Sequence, residues 1–290
     1  MQTGFIGLGA MGAHMARNLK RAGFLAGVTN RTAQKAQALA LEIDTIAYAN
    51  PAELAAKVDA IILCVSADAD VLSVIDAIMP AARPGLLVID CSTVSADTAR
   101  RAEAQLRPLG AAFLDCPVSG GVEGARDAAL AIMCGGSAEA FARAKPILDA
   151  IGRAVTHMGP TGFGQSTKAT NQIMCAGIIQ AVAEAMAFAQ AEQLPLDKVI
   201  ETLGKGAGSS WYFVNRAPFM AKDHFPAGFR VRLHDKDLKI CRQMAARHGV
   251  TLSVIETTLA HYAQLIEGGF GDDDISTIFR LKTALFDPKS

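Results

Sequence analysis

Residues 3–12 read TGFIGLGAMG. An apolar run ends in Gly7-x-Gly9-x-x-Gly12 and opens directly onto the helical spacing of MGAHMARNLKRAG, which stops at Gly23. No other stretch constrains the fold as strongly as this strand–turn–helix order. In that context Gly7 permits the tight turn, Gly9 lets the backbone approach a pyrophosphate, and Gly12 lets helix and strand pack closely, with Ala10 and Met11 completing the turn. A pyrophosphate there rests on the helix N-terminus, where N–H groups and the dipole favour negative charge. The second strand, LAGVTNR, bears on the kind of dinucleotide. An NAD site usually ends this strand in Asp or Glu, which bonds the ribose 2′-hydroxyl. Here Asn30, Arg31 and Thr32 stand in its place, and Lys35 follows one helical turn on. Without a carboxylate to repel a 2′-phosphate, and with Arg31 to pair with it, NADP(H) is expected to be preferred, with NAD(H) possible.

Through about residue 160 strand and helix alternate. VDAIILCVS, GLLVIDCST, AAFLDCPVS, ALAIMCGG and AVTHMG read as further strands, with helical stretches at 68–80, 95–107 and 138–151. Near-continuous apolar strands between amphipathic helices indicate an α/β domain with a mostly parallel sheet covered on both faces. After Gly164 the strand pattern disappears. Residues 165–193 read as one long helix ended by Pro195, followed by helical stretches near 196–204, 235–248, 251–268 and 275–286. The expectation is therefore a dinucleotide-binding domain over 1–161 and an all-α domain over 162–290, the latter serving substrate binding and oligomerisation.

Length and composition bound the function. The 290 residues are 51% hydrophobic, and 28 basic residues balance 28 acidic ones, which argues against a nucleic-acid partner held by bulk charge. Six scattered cysteines without a CxxC pair suit a reducing cytoplasm. No apolar run is read as reaching the roughly 18 residues of a spanning helix, so a soluble cytoplasmic protein with no membrane partner is expected. The apolar character of 165–193 on all sides predicts burial on most faces, in part by a second subunit, hence a homodimer or homotetramer. The six histidines show no metal-ligand spacing, and no metal is expected.

One residue is out of place for helix stability. If the long helix starts at Gln165, Lys168 lies in its first turn, where a cation opposes the macrodipole. Catalysis supplies a reason. Hydride delivery to a carbonyl builds negative charge on oxygen, and a lysine among apolar neighbours is suited to protonate it. Asn171 and Gln172 follow at i+3 and i+4, where an amide on the same face can fix the substrate hydroxyl or the lysine. In PVSGG, the Ser119 hydroxyl and the backbone N–H groups of Gly120 and Gly121 form a candidate anion-binding nest. Cys116 beside it reads as a packed thiol, since hydride transfer needs no nucleophile. Trp211, in GSSWYFVNR, is a candidate for closing the substrate pocket and equally for simple packing.

Four stretches in order resemble the β-hydroxyacid dehydrogenase family, which includes 3-hydroxyisobutyrate dehydrogenase, tartronate semialdehyde reductase and the glyoxylate/succinic semialdehyde reductases. They are GFIGLGAMGAHMARNL, DCPVSGGVEGA at 115–125, GFGQSTKATNQ at 162–172 and KDL at 236–238. The resemblance covers nearly the whole chain. It implies an N-terminal Rossmann domain followed by an all-α domain, with the active site between them. It also implies that Ser119, Gly120 and Gly121 grip a substrate carboxylate and that Lys168 is the catalytic acid/base, with Asn171 and Gln172 orienting the substrate. Val65 and Thr93 would line the cofactor, and Lys236 would reach it from the helical domain. Two departures stand out: Gln172 where many members carry a second asparagine, and Ala128 where many carry glycine. The implied reaction is hydride transfer between nicotinamide and a small 3-hydroxy acid or its semialdehyde, or a short aldehyde acid such as glyoxylate. The rival readings are an imine reductase, which typically lacks the lysine, and a non-catalytic NADP-binding sensor or scaffold.

Overall fold

The computed structural model describes residues 1–286. The chain divides into two compact units, Met1–Lys168 and the remainder from Ala169 onward. In the first unit the strands are β1 (Thr3–Ile6), β2 (Leu25–Thr29), β3 (Ile46–Ala47), β4 (Ala60–Leu63), β5 (Leu87–Asp90), β6 (Ala112–Asp115), β7 (Val118–Ser119), β8 (Leu130–Gly135) and β9 (Gly152–Gly159). They form one sheet in the order β3-β2-β1-β4-β5-β6-β8-β7, with β9 also on β8. The pairs from β3 through β6 are parallel, whereas β8 runs antiparallel to β6 and β7. The run AAFLDCPVS is two strands rather than one. Pro117 lacks an N–H and interrupts the ladder, although its carbonyl still accepts from Met133 N at 3.1 Å.

Helices α1 (Gly12–Arg21), α2 (Ala33–Glu42), α3 (Pro51–Ala55), α4 (Asp68–Ile78), α5 (Ala96–Leu106), α6 (Gly121–Arg126) and α7 (Ala138–Leu148) connect the strands. β1, β4 and β5 are buried along their whole length, which explains their unbroken apolar sequence. Alternate side chains feed two separate cores. Phe5, Ile62 and Ile89 pack with Met15 and Leu19 of α1 and Ile147 of α7. Ile6, Ile61, Leu63 and Val88 pack with Val71 and Ile75 of α4 and Leu106 of α5. Each such side chain, fully buried, contributes about 1.5–3 kcal/mol. The strand order reverses at β1, between β2 and β4, and a crevice opens at the carboxyl ends of such strands.

α8 (Phe163–Ala191) begins in the first unit and continues into the second, which also holds α9 (Leu196–Leu203), α10 (Trp211–Met220), α11 (Val231–Ala246), α12 (Ser253–Glu267) and α13 (Phe279–Thr283). Ala176, Ile179, Ala183, Met186 and Ala187 of α8 make one stripe of the core of the second unit, against Phe213, Leu238, Ile255 and Tyr262. Three expectations need correction. The long helix starts at Phe163, so Gly164 lies inside its first turn and Lys168 is its sixth residue, beyond the reach of the terminal dipole. It also contains an 18-residue window of mean hydropathy 1.5, long and apolar enough by composition to cross a membrane; half of that window is buried within the protein, as suits a core helix. Met174 and Phe188 on this helix are exposed in the single chain. Residues 211–220, where no helix was expected, form α10: the Ser210 hydroxyl accepts from Phe213 N and caps it, and Pro218 lies inside it.

Candidate functional site

The glycine loop follows β1 at the reversal of strand order. Gly7 has φ +98°, and a Cβ there would stand 2.2 Å from the Cys64 carbonyl oxygen, so β4 passes too close for any other residue. A Cβ on Gly12 would stand 2.0 Å from the Gly7 carbonyl oxygen, whereas one on Gly9 meets nothing within 4 Å. The loop is therefore closed on its protein side and open at Gly9, a cradle that fits a dinucleotide pyrophosphate. Ala10 is exposed and Met11 precedes the first turn of α1.

Two residues after β2 make contacts that the sequence did not indicate. Asn30 is a brace: its Oδ1 accepts from Leu8 N at 2.9 Å and its Nδ2 donates to the Thr32 carbonyl at 3.0 Å, fixing the glycine loop to the second strand. Arg31 is exposed, but its Nη1 donates to Asp70 Oδ1 at 2.9 Å. A carboxylate therefore does stand beside this position, supplied by α4 rather than by β2. Thr32 caps α2 without a side-chain bond, and Lys35 is exposed in its first turn.

The carboxyl ends of β4, β5 and β6 are joined by buried polar contacts. Val65 N donates to the Ser92 hydroxyl at 2.9 Å, and Ser92 N donates to Asp90 Oδ1 at 2.9 Å. Gln165, 1% exposed, donates from Nε2 to the Ser92 carbonyl at 2.8 Å and accepts from Val94 N at 3.2 Å, so its amide grips the backbone on both sides of Thr93. Gln165 N in turn donates to Asp115 Oδ2 at 2.8 Å, and Gly162 N donates to Asp115 Oδ1 at 2.7 Å. The Asp115 carboxylate therefore accepts from two N–H groups at the start of α8, where negative charge is favourable. The approach is so close that a Cβ on Gly164 would stand 2.4 Å from the carbonyl oxygens of both Asp115 and Met133. Lys168, three residues after Gln165, is buried.

Asp90 and Asp115 are register partners on adjacent strands. Burial pushes the Asp115 carboxyl up to about 6 despite its two N–H donors, and burial pushes Asp90 up to about 7, reinforced by the charge of Asp115. Oδ2 of Asp90 is buried without a hydrogen-bond partner among the described residues. Burial likewise pushes the Cys116 thiol well above its ordinary range, which fits a packed thiol.

Ser119 ends β7, Gly120 follows at φ +135° as the cap of α6, and Gly121 at φ +65° is the first residue of that helix. This brings successive backbone groups of the loop into a turn at the start of a short helix, with Gly124 N donating to the Gly120 carbonyl at 2.9 Å. Ala128, just beyond α6, adopts φ +53°, a left-handed conformation that suits glycine better than alanine.

In the second unit Asn171 Nδ2 donates to Gln172 Oε1 at 2.8 Å, and Gln172 Nε2 donates to Asp237 Oδ2 at 2.7 Å. The other Asp237 oxygen lies 3.0 Å from Lys236 Nζ. Lys236 and Asn171 are thus linked through one buried carboxylate. Gln172 is 1% exposed, and its carbonyl lies 3.2 Å from His234 Nε2, while His234 Nδ1 meets the Tyr262 hydroxyl at 2.9 Å. Trp211 is 56% exposed, with Arg216 stacked over its ring. Sequence reading missed Gln165, Asp115, Asp70 and Asp237. Gln165, Asp115 and Asp237 stand inside quoted motifs, but the partners just described lie 47 to 73 residues away in sequence.

Residues 2–159 match the family model described as the NAD binding domain of 6-phosphogluconate dehydrogenase. Residues 162–282 match that described as NAD-binding of NADP-dependent 3-hydroxyisobutyrate dehydrogenase. The chain is 32% identical to an NAD-dependent L-serine dehydrogenase of Pseudomonas aeruginosa, over 99% of this chain and 98% of that one. It is 36% identical to 2-hydroxy-3-oxopropionate reductase of Escherichia coli, over 84% of each. The solved structure of Mycobacterium tuberculosis 3-hydroxyisobutyrate dehydrogenase with L-serine superposes with a TM-score of 0.88 at 30% identity, covering 97% of this chain and 99% of that one.

Proposed function

As the chain belongs to the β-hydroxyacid dehydrogenase family and is a nicotinamide-dependent oxidoreductase, we propose that it interconverts a small 3-hydroxy acid and its semialdehyde, or reduces a short aldehyde acid such as glyoxylate, with NADP(H) preferred. The relatives' names support this substrate class: 2-hydroxy-3-oxopropionate and serine are both three-carbon acids with oxygen at the third carbon. Arg31 and Thr32, between β2 and α2, and Lys35 in the first turn of α2 support the cofactor preference by their position.

The observation that carries the reading is the buried Lys168, on the helical turn that Gln165 ties to the backbone on either side of Thr93. Bound nicotinamide supplies or accepts the hydride. Lys168 protonates the carbonyl oxygen as negative charge builds on it, and takes the proton back in the oxidative direction. Asn171, on the same helix face, orients the substrate hydroxyl; Gln172, committed to Asp237, holds the Asn171 amide. The Ser119 hydroxyl and the N–H groups of Gly120 and Gly121 bind the carboxylate. Lys236, held by Asp237, contacts the cofactor. Exposed Met174, Phe188, Leu194 and Leu203 support assembly into a homodimer or homotetramer. The six cysteines, none of them in a disulfide, suit a cytoplasmic setting.

The test follows NADPH absorbance with glyoxylate, the succinic, tartronate and methylmalonate semialdehydes, L-serine in the oxidative direction, and an imine. Lys168→Ala should lower kcat about 10²–10⁴-fold with the Kd for NADPH within twofold. Turnover of the imine alone, or a variant keeping more than half of wild-type kcat, would overturn the assignment.

A further inference from the structure

The ion pair between Arg31 and Asp70 joins two elements on opposite sides of β1. Arg31 follows β2 and Asp70 lies in the first turn of α4, which follows β4; β2 and β4 are the two neighbours of β1 in the sheet. Alternate neighbours in a sheet are about 10 Å apart. The contact of 2.9 Å between Nη1 and Oδ1 is therefore a side-chain bridge across the carboxyl end of β1, at the crevice edge where the glycine loop opens. The Arg31 side chain is 87% exposed and that of Asp70 29%, so solvent screens the pair and either group can be drawn away at little loss. The first turn of α4 also holds Asp68, whose carboxylate accepts from Ser95 N and the Thr98 hydroxyl. Asp68 is engaged in holding the fold, whereas Asp70 reaches toward Arg31.

We propose that Asp70 is a cofactor-selectivity residue, whose carboxylate competes with a 2′-phosphate for the Arg31 guanidinium. This rests on the reading above that Arg31 meets the 2′-phosphate. A ligand with a 2′-hydroxyl leaves the bridge intact and fits beside it. A 2′-phosphate takes Arg31 from Asp70 through a stronger charge-assisted bond, and leaves the Asp70 carboxylate facing a dianion within one Debye length. Asp70 therefore moderates the preference that Arg31 creates. The margin of NADP(H) over NAD(H) is thereby smaller than Arg31 alone would set, because α4 supplies an acidic group that β2 lacks.

Fluorescence titration gives Kd for NADPH and NADH, and calorimetry gives Kd for 2′,5′-ADP and 5′-AMP, which probe the adenosine end without nicotinamide. Wild type, Asp70→Asn, Arg31→Gln and the double variant are compared at low and high salt. Asp70→Asn should tighten NADPH and 2′,5′-ADP about 3–10-fold, leave NADH and 5′-AMP within about twofold, and lose the gain in 0.5 M salt. In the Arg31→Gln background the same substitution should gain less than twofold. Equal tightening of both ligand pairs, no change in either, or a gain that survives loss of Arg31 would overturn the proposal. A wild type that binds NADH more tightly than NADPH refutes the cofactor preference above instead, and Asp70 is still judged on the change between variants.

Discussion

Replacing Asp90 with asparagine should change how stability depends on pH, and the size of the change follows from its surroundings. The carboxyl is fully buried at the end of β5, with Oδ1 taken by Ser92 N and Oδ2 without a partner among the described residues. Burial pushes it from 3.8 up to about 7. The folded chain keeps this proton up to about pH 7, whereas the unfolded chain releases it near pH 4. Between those values the native state binds more protons than the unfolded state, so stability falls as pH rises and levels off above pH 7. From pH 5 to pH 8 that loss is about two pH units at 1.36 kcal/mol each, or about 2–3 kcal/mol. Asparagine mimics the protonated acid, keeps the acceptor for Ser92 N and cannot ionise. Asp90→Asn should match wild type near pH 5 and exceed it by about 2–3 kcal/mol at pH 8, a rise in Tm of about 5–10 °C. Asp115 also titrates, up to about 6, and contributes a similar fall below pH 6 to both proteins. Calorimetric melts of both proteins without cofactor, at half-unit steps from pH 5 to 8.5, measure the difference. Parallel curves would show that Asp90 ionises without penalty and that its surroundings are wetter than the buried geometry implies.

Two further outcomes test the loops around the site. Ala128→Gly should raise stability by about 0.5–1 kcal/mol in chemical denaturation, because glycine relieves the left-handed strain at φ +53° and gives back part of that gain as chain entropy; a loss of stability would mean that the alanine methyl packs well enough to outweigh its strain. Methyl esters of accepted substrates should turn over poorly, and Ser119→Ala should raise KM with little effect on kcat; equal rates for ester and acid would remove Ser119, Gly120 and Gly121 from carboxylate binding.

What the sequence disclosed is what local pattern encodes. The glycine spacing, the apolar strands and the long alanine-rich helix are periodicities within a few dozen residues, and the structure carries each of them. The start of α8 was misread because glycine and proline argue against a helix locally, while Asp115, nearly 50 residues upstream, takes up its first N–H groups. α10 was missed because aromatic residues and Pro218 mask a capping serine at 210. The absence of an acidic residue after β2 was read correctly, yet its consequence was incomplete: Asp70 reaches the same place from 39 residues away. Contacts of this range depend on strand order, which no spacing rule contains.

The crowded corner where β6, β8 and the start of α8 meet has a consequence for mutational scans. A Cβ on Gly135 would stand 2.4 Å from Asp115 Oδ1, and one on Gly164 equally close to two carbonyl oxygens. Every substitution at these glycines should therefore abolish activity as completely as loss of Lys168, although neither glycine has a side chain to offer a substrate. A growth selection would rank all three alike. Protein abundance separates them: glycine variants should disappear from the soluble fraction, while Lys168 variants accumulate as folded, inactive protein.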